Sequence, residues 1–238
     1  MNKEEFANIL EKYQLNEVDK DYFESHKERF NIMVNRLKKL VQPGQRIANI
    51  GLSIFDLIAK EIVKSSGASY YSIIPNANYL NNFSKEFVES VDIVKADITN
   101  SQTFGKLIGT FDIVMFLETI EHLFYNDDDI LNNVSSLIKN GGKMMFSVPN
   151  AVEIGKRFRT MFGKNPYWSK ELIINGVYGG YGHIREYTLS EIRALLNPYF
   201  TVKIIEKLNP YGSSIKRHLL NILPITWSTY IYCECEKK

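Results

Sequence analysis

The sequence predicts an α/β protein built on a doubly wound, mostly parallel sheet. Three observations carry this. Short apolar runs of strand length alternate with helix-length segments between residues 46 and 148. Several of those runs end on the Gly, Pro, Asn or Asp residues that break a strand. The chain has 238 residues, 45% hydrophobic and 24% charged, which is ordinary globular composition with length enough for a sizeable core. Strands joined through helices run parallel, and right-handed connections place the helices on both faces.

The first forty residues read as helix. Phe6, Ile9 and Leu10 share a face, and from Tyr22 to Val41 the residues Phe23, Phe30, Met33, Val34, Leu37 and Leu40 recur at helical spacing until Pro43-Gly44 ends the run. Strands are then expected at Arg46–Ile50, Ser69–Ile74, Asp92–Lys95, Phe111–Phe116 and Lys143–Val148. Between them the spacing predicts helices at Phe55–Lys64, Asn78–Ser90 and Asp128–Lys139, the last closed by Asn140-Gly141-Gly142. Residues 151–187 are irregular and rich in Gly and aromatics, the mark of a functional loop or lid. Thr188 and Glu191 form a capping-box pattern opening a helix. Phe200–Glu206 and Thr229–Glu236 read as two final strands with little room for a crossover helix, so an antiparallel pairing is expected.

Composition narrows the function classes. Lys plus Arg number 29 against 27 for Asp plus Glu, a net charge of +2, so there is no global field built for nucleic acid. The start is charged and lacks the apolar core of a signal peptide, and no apolar run approaches the roughly 20 residues of a membrane span. Cys233 and Cys235 lie two apart on a strand, about 6.5–7 Å from each other and too far for a relaxed disulfide. Free thiols point to the cytoplasm.

In an open parallel sheet, ligands bind beyond the carboxyl ends of the strands. That rule selects Gly51-Leu52-Ser53, Pro75-Asn76, Asp97-Ile98, Leu117-Glu118 and Pro149-Asn150. Gly51 permits a tight turn beside a ligand, and the following helix offers bare N–H groups. Asp97 suits an amine such as the adenine N6 or, with Thr99-Asn100-Ser101, a helix cap. Glu118 suits a cationic group.

The stretch from Phe111-Asp112-Ile113-Val114 through Glu118-Thr119-Ile120-Glu121-His122-Leu123, then Leu137-Ile138-Lys139-Asn140-Gly141-Gly142 and Ser147-Val148-Pro149-Asn150, resembles the class I S-adenosylmethionine-dependent methyltransferases. Within that superfamily it is similar to the small-molecule branch with an acid-acid-His-Leu signature. Gly182-His183-Ile184-Arg185-Glu186-Tyr187-Thr188 resembles the same branch. The likeness spans roughly residues 20 to 236. It implies a Rossmann-like sheet of seven strands with the last antiparallel. It divides the one domain into N-terminal helices (1–44), a cofactor-binding half (45–150), a substrate lid (151–187) and a C-terminal helix and strand pair (188–238). It also implies S-adenosylmethionine over the first four strands, with Asn49, Gly51, Ser53, Asn76, Asp97, Ile98 and Glu118 as its contacts. The family has an acid at the position of Asn49, glycines at those of Ser53 and Phe55, and a ribose-binding acid where Pro75-Asn76 stands. The Phe55 ring is expected either to fill space near the cofactor or to point into the core.

On the acceptor side, His183 is the preferred general base. His122 is a second catalytic candidate, though its first reading is a structural histidine that bonds backbone and fixes its loop. Arg185, Tyr187 and Trp168 are candidate substrate contacts. Lys156, Arg157, Arg159 and Lys164, interleaved with Phe158, Met161, Phe162, Tyr167 and Trp168, suit an anionic acceptor or simply a solvated amphipathic helix; Lys216-Arg217-His218 poses the same choice, with weak membrane-surface contact as its functional form. The four histidines are scattered and Cys-x-Cys lacks a second pair, so no metal set stands out. The expected activity is methyl transfer to a small-molecule or glycan-type acceptor, at oxygen. Alternatives are a retained fold with a decayed cofactor loop, serving as a binding or scaffold protein, and an adenosine-ligand binder without transfer.

Overall fold

The structure is a computed structural model and describes residues 12–13, 17–167, 169, 171 and 182–238. Helix α1 (Glu17–Leu40) leads into the alternation β1 (Arg46–Ile50), α2 (Ile54–Ser65), β2 (Ser69–Ile74), α3 (Lys85–Glu89), β3 (Ile93–Lys95), β4 (Phe111–Leu117), α4 (Asp127–Leu137) and β5 (Ile138–Pro149). Then come α5 (Ile154–Met161), α6 (Leu189–Leu196), β6 (Phe200–Leu208), α7 (Ser214–Ile222) and β7 (Tyr230–Lys237). The expected helix around Phe6, Ile9 and Leu10 lies outside the described residues.

The strands form one seven-stranded sheet in the order β3-β2-β1-β4-β5-β7-β6. β1 to β5 pair parallel, and β7 runs antiparallel to both β5 and β6. Alternation along the strands sorts side chains onto two faces. Ile47, Ile113, Met115 and Met145 pack with Phe30, Met33 and Leu37 of α1 and with Leu57 and Ile58 of α2. Ala48, Val114, Phe116, Met144 and Phe146 pack with Ile130, Val134 and Leu137 of α4, Leu196 of α6, and the buried free thiols Cys233 and Cys235. No described helix is long and apolar enough to cross a membrane.

Two expected elements take another form. The helix expected over residues 78–90 is broken: a 3₁₀ turn (Ala77–Asn82) ends at extended Phe83, and Ser84 starts α3 afresh by accepting from the Phe87 N–H. Helix α4 stops at Leu137, two residues early. Buried Ile138 goes extended and pairs with Phe111, and the register then slips until Lys143 meets Ile113. Asn140-Gly141-Gly142 is therefore the irregular stretch of β5 and not the helix stop. A Cβ on Gly142 would lie 2.7 Å from Ile138 Cγ2 and 3.0 Å from the Asp112 carbonyl oxygen, so the backbone approach there needs glycine.

Candidate active site

The order β3-β2-β1-β4-β5 places the switch of winding between β1 and β4: from β1 the chain winds outward through β2 to β3, then returns to β4 and winds the other way to β5. A cavity of about 630 Å³ opens there. Its floor is the Gly51–Phe55 turn, its flank is Asp97, Ile98 and Thr99 beyond β3, and its far end is Leu117, Glu118 and Thr119 beyond β4. Tyr22, Arg29, Phe30 and Met33 of α1 form the cover. Gly51 holds φ +103, a conformation that favours glycine.

The turn after β1 is organised around Asp56. This acid is fully buried and accepts from the Asn49 amide (3.1 and 3.2 Å), the Ser53 N–H (2.8 Å), the Tyr70 hydroxyl (3.0 Å) and the Ser72 hydroxyl. Burial pushes its carboxyl up, and those donors pull it part of the way back. Asn49 and Ser53 line the cavity and are tied to this carboxylate. Ser53 also caps α2. Phe55 is 4% exposed, its ring centroid 5.5 Å from that of Phe30, and it forms wall on the α1 side with the cavity open beside it.

Glu118 is the sole non-glycine with positive φ (52°) among the described residues. Its side chain is largely buried, with Oε2 3.5 Å from Arg29 Nη1 and Oε1 without a hydrogen-bond partner. Burial raises its carboxyl, against the pull of Arg29. Asp97 lines the cavity while its Oδ1 accepts from Thr99 N–H (2.9 Å) and Oγ1 (2.7 Å); the 3₁₀ turn that follows is capped instead by Asn100, whose side-chain oxygen accepts from Gln102 N–H.

Next to Glu118, a 3₁₀ turn (Ile120–His122) carries Glu121 and His122. The Glu121 backbone carbonyl accepts from Ile184 N–H (2.8 Å) and Arg185 N–H (3.4 Å), which draws the segment from residue 182 against this turn. His122 and His183 thus meet with ring centroids 5.1 Å apart, edge to face. His183 Nδ1 bonds Glu186 Oε1 at 2.9 Å, and the other Glu186 oxygen pairs with Lys156. Glu121 is fully buried, 3.9 Å from His122 Nε2, and neither of its carboxylate oxygens has a hydrogen-bond partner. Burial first, then the neighbouring Glu118 charge, push its carboxyl well up.

Of the expected contacts, Asn49, Gly51, Ser53, Asp97, Ile98, Glu118 and His122 line the cavity. Asn76 does not: it is exposed, and its side-chain oxygen caps the 3₁₀ turn through Asn78 and Tyr79 N–H groups. His183 stands behind His122. Arg185 points away and pairs with Glu191 (2.8 Å), and Tyr187 is buried with its hydroxyl donating to Asp127 (2.9 Å), so neither reaches the cavity. Trp168 lies outside the described residues. Arg29, Glu121 and Asp56 are additions. Asp56 had a signal, the Ser53-x-x-Asp56 capping pattern. Arg29 had none, being one cation on a helix with several.

Comparison with known proteins follows the same lines. A family model described as a methyltransferase domain matches residues 46–199. No curated protein matches the chain. Among solved structures, a SAM-dependent methyltransferase from Archaeoglobus fulgidus is 16% identical over 91% of this chain and 99% of its own, with TM-score 0.55. The N-methyltransferase NodS from Bradyrhizobium japonicum WM9, solved with S-adenosyl-L-homocysteine, is 12% identical over 98% of each chain, with TM-score 0.56. A Pyrococcus horikoshii OT3 protein is 13% identical over 92% of this chain and 91% of its own, with TM-score 0.55. These likenesses show the fold. With the family model covering most of its length, the chain belongs to the methyltransferase-domain family.

Proposed function

Proceeding from that membership, we propose that the chain is an S-adenosylmethionine-dependent methyltransferase acting on a hydroxyl of a small-molecule or glycan-type acceptor. The carrying observation is the far end of the cavity, where cationic Arg29 and the buried, unpartnered Glu118 Oε1 stand side by side. That pairing suits an amino-acid zwitterion: Arg29 takes a carboxylate and Glu118 an ammonium. Asp97, on the flank, suits an adenine amine. Gly51 lets the backbone pass close beneath the sugar. The cavity is large enough for a nucleoside-sized ligand. The residues present therefore fit the cofactor. The uncharged Asn76, turned to capping, leaves the ribose diol to other groups.

When bound, S-adenosylmethionine supplies an electrophilic methyl on a sulfonium. The chain's contribution is orientation: a cover of α1 that keeps water out and a floor held stiff by Asp56, so that proximity carries most of the acceleration. On the acceptor side, the His122–His183 pair at the rim activates the hydroxyl. The basic, aromatic α5 beside it favours an anionic acceptor.

Isothermal calorimetry with S-adenosylhomocysteine tests the reading. Binding is expected, with Asp97→Ala weakening it about tenfold or more, the loss of one charge-assisted hydrogen bond worth roughly 1.5–3 kcal/mol. No heat at millimolar ligand overturns it in favour of a fold kept for binding or scaffolding.

A further inference from the structure

We propose that the outward faces of α5 and α7 form one docking surface for an anionic lipid membrane, at the edge of the sheet where the cavity opens. Both helices leave that edge. Helix α5 follows the carboxyl end of β5, and α7 lies between β6 and β7, whose ends at Leu208 and Tyr230 are level with Pro149 of β5. The turn after α7 reaches back to α5: Arg157 Nη2 donates to the Thr226 carbonyl (3.3 Å), and the Arg157 guanidinium lies 5.5 Å from the Trp227 ring centroid. The two helices are thereby held in one surface.

A surface helix normally turns its apolar stripe to the core. Helix α5 does the reverse. None of its residues is buried, and Phe158, Met161 and the adjoining Phe162, which share a face at i, i+3 and i+4, are 50%, 65% and 71% exposed. Its inner side is polar, with Lys156 paired to Glu186. In α7, Leu220 is buried while Leu219 and Ile222 are exposed. Ile108 apart, every exposed large hydrophobic among the described residues lies on a segment at this edge. Apolar side chains gathered on one side of a molecule mark a surface that something else covers.

The charge decides what covers it. Residues 154–167 carry Lys156, Arg157, Arg159 and Lys164 and no acid, and residues 207–233 carry Lys207, Lys216 and Arg217 and no acid. The whole chain is nearly neutral at +2, so this concentration is local. Arg159 and Lys164 are exposed and pair with no carboxylate among the described residues. Between α5 and α6 a cleft of about 350 Å³ is lined by Arg157 and Arg193 with Thr188 and Ser190, a setting that suits a lipid phosphate. A second copy of this chain would set cations against cations. A bilayer rich in anionic lipid offers the opposite charge across the whole face and an apolar layer for the rings. The exposed Asp128 and Asp129 at the start of α4 keep the β4 end of the edge off the lipid.

Docking does not rest on the methyltransferase reading; its use does. On that reading the mouth of the cavity is set over the bilayer, the position from which an acceptor carried on a lipid is reached.

The test is flotation of the full-length protein with vesicles of about one part phosphatidylglycerol to two parts phosphatidylcholine, against vesicles of phosphatidylcholine alone. Binding to the mixed vesicles is expected to be about tenfold stronger or more, and to fall as salt is raised. Phe158→Ser combined with Phe162→Ser removes apolar contact, and Arg159→Glu combined with Lys164→Glu reverses the charge. Each pair should weaken binding about tenfold or more with an unchanged melting temperature, because these side chains are exposed. No binding to either vesicle, equal binding to both, or binding that survives both pairs overturns the proposal. So does a concentration-dependent dimer in analytical ultracentrifugation that Phe158→Ser with Phe162→Ser dissolves, since the face then belongs to a second copy. The calorimetry with S-adenosylhomocysteine reads the cavity and flotation reads the surface, so either can fail alone.

Discussion

Asp56 is an acid sealed from solvent, and its worth lies in the donors it collects. Three side chains and one backbone N–H from three different segments end on it. Asp56→Ala strands all of them in the core and should cost about 3–5 kcal/mol, seen as a lower urea midpoint with an unchanged slope. Asp56→Asn should lose less, since an amide oxygen still accepts. The substitution also bears on function: Asn49 and Ser53 belong to the cavity wall, and this carboxylate holds both. The family's acid at position 49 and its glycine at 53 are replaced here by a different device, an acid seven residues on that ties the turn down. Glu118 is the converse case. Its left-handed backbone, a strain of about 1–3 kcal/mol, is held by the N–H bond to the Ser147 carbonyl at 2.9 Å, and it puts a carboxylate where a ligand would meet it. The candidate-site residues that follow strands were legible, because strand ends point at the crevice whatever the side chain. Glu121 was legible only as part of the acid-acid-His-Leu signature and Arg29 not at all, because their roles depend on which carboxylate or imidazole each comes to face.

At the level of elements, local chemistry decided starts better than stops. The Thr188–Glu191 box was readable from spacing and stands as expected, with Glu191 accepting from Thr188 N–H at 2.8 Å. Thr188→Ala should lower stability by about 1 kcal/mol, or roughly 2–4 °C in melting temperature, measured by thermal unfolding. This box sits just after Tyr187, whose bridge to Asn150 joins the segment of His183 to the end of β5. Loss of the cap should therefore loosen the acceptor edge as well. The stop of α4 was not readable. Asn-Gly-Gly is a strong helix terminator, but the sheet drew Ile138 into the core before that signal was reached, since burying a whole isoleucine outweighs two more residues of helix.

Over the whole molecule, α1 ties the N-terminal region to the sheet face that carries the cavity, and its condition reports on global stability. His26 lies in α1, stacked on Tyr22 with centroids 4.2 Å apart and edge-on to Tyr211. Burial first, then the nearby Arg29 charge, lower its pKa to about 4, against the bond to the Tyr22 carbonyl. In the unfolded chain its value is about 6.5. The unfolded state therefore binds the extra proton first. Stability is whole above pH 6.5 and is lost as pH falls toward 4. Discounted for a ring that is partly wet, the loss is about 1–2 kcal/mol. His26→Asn should flatten that part of the profile, while the loss contributed by paired carboxylates such as Glu186 and Glu191 remains; melting curves between pH 4 and 7 decide it.

The alternation of strands and helices, the two-faced core and the ends of the strands where a ligand would sit were determined by the sequence alone. Each depends on hydrophobic period and on turn residues, which are properties of near neighbours along the chain. The tertiary structure decided the rest. It put Arg29 beside Glu118 across 89 residues, brought His122 and His183 together, and left Glu121 bare between them. Charge, burial and ligand distance are set by which segments the sheet brings together, and spacing along the chain carries no record of that.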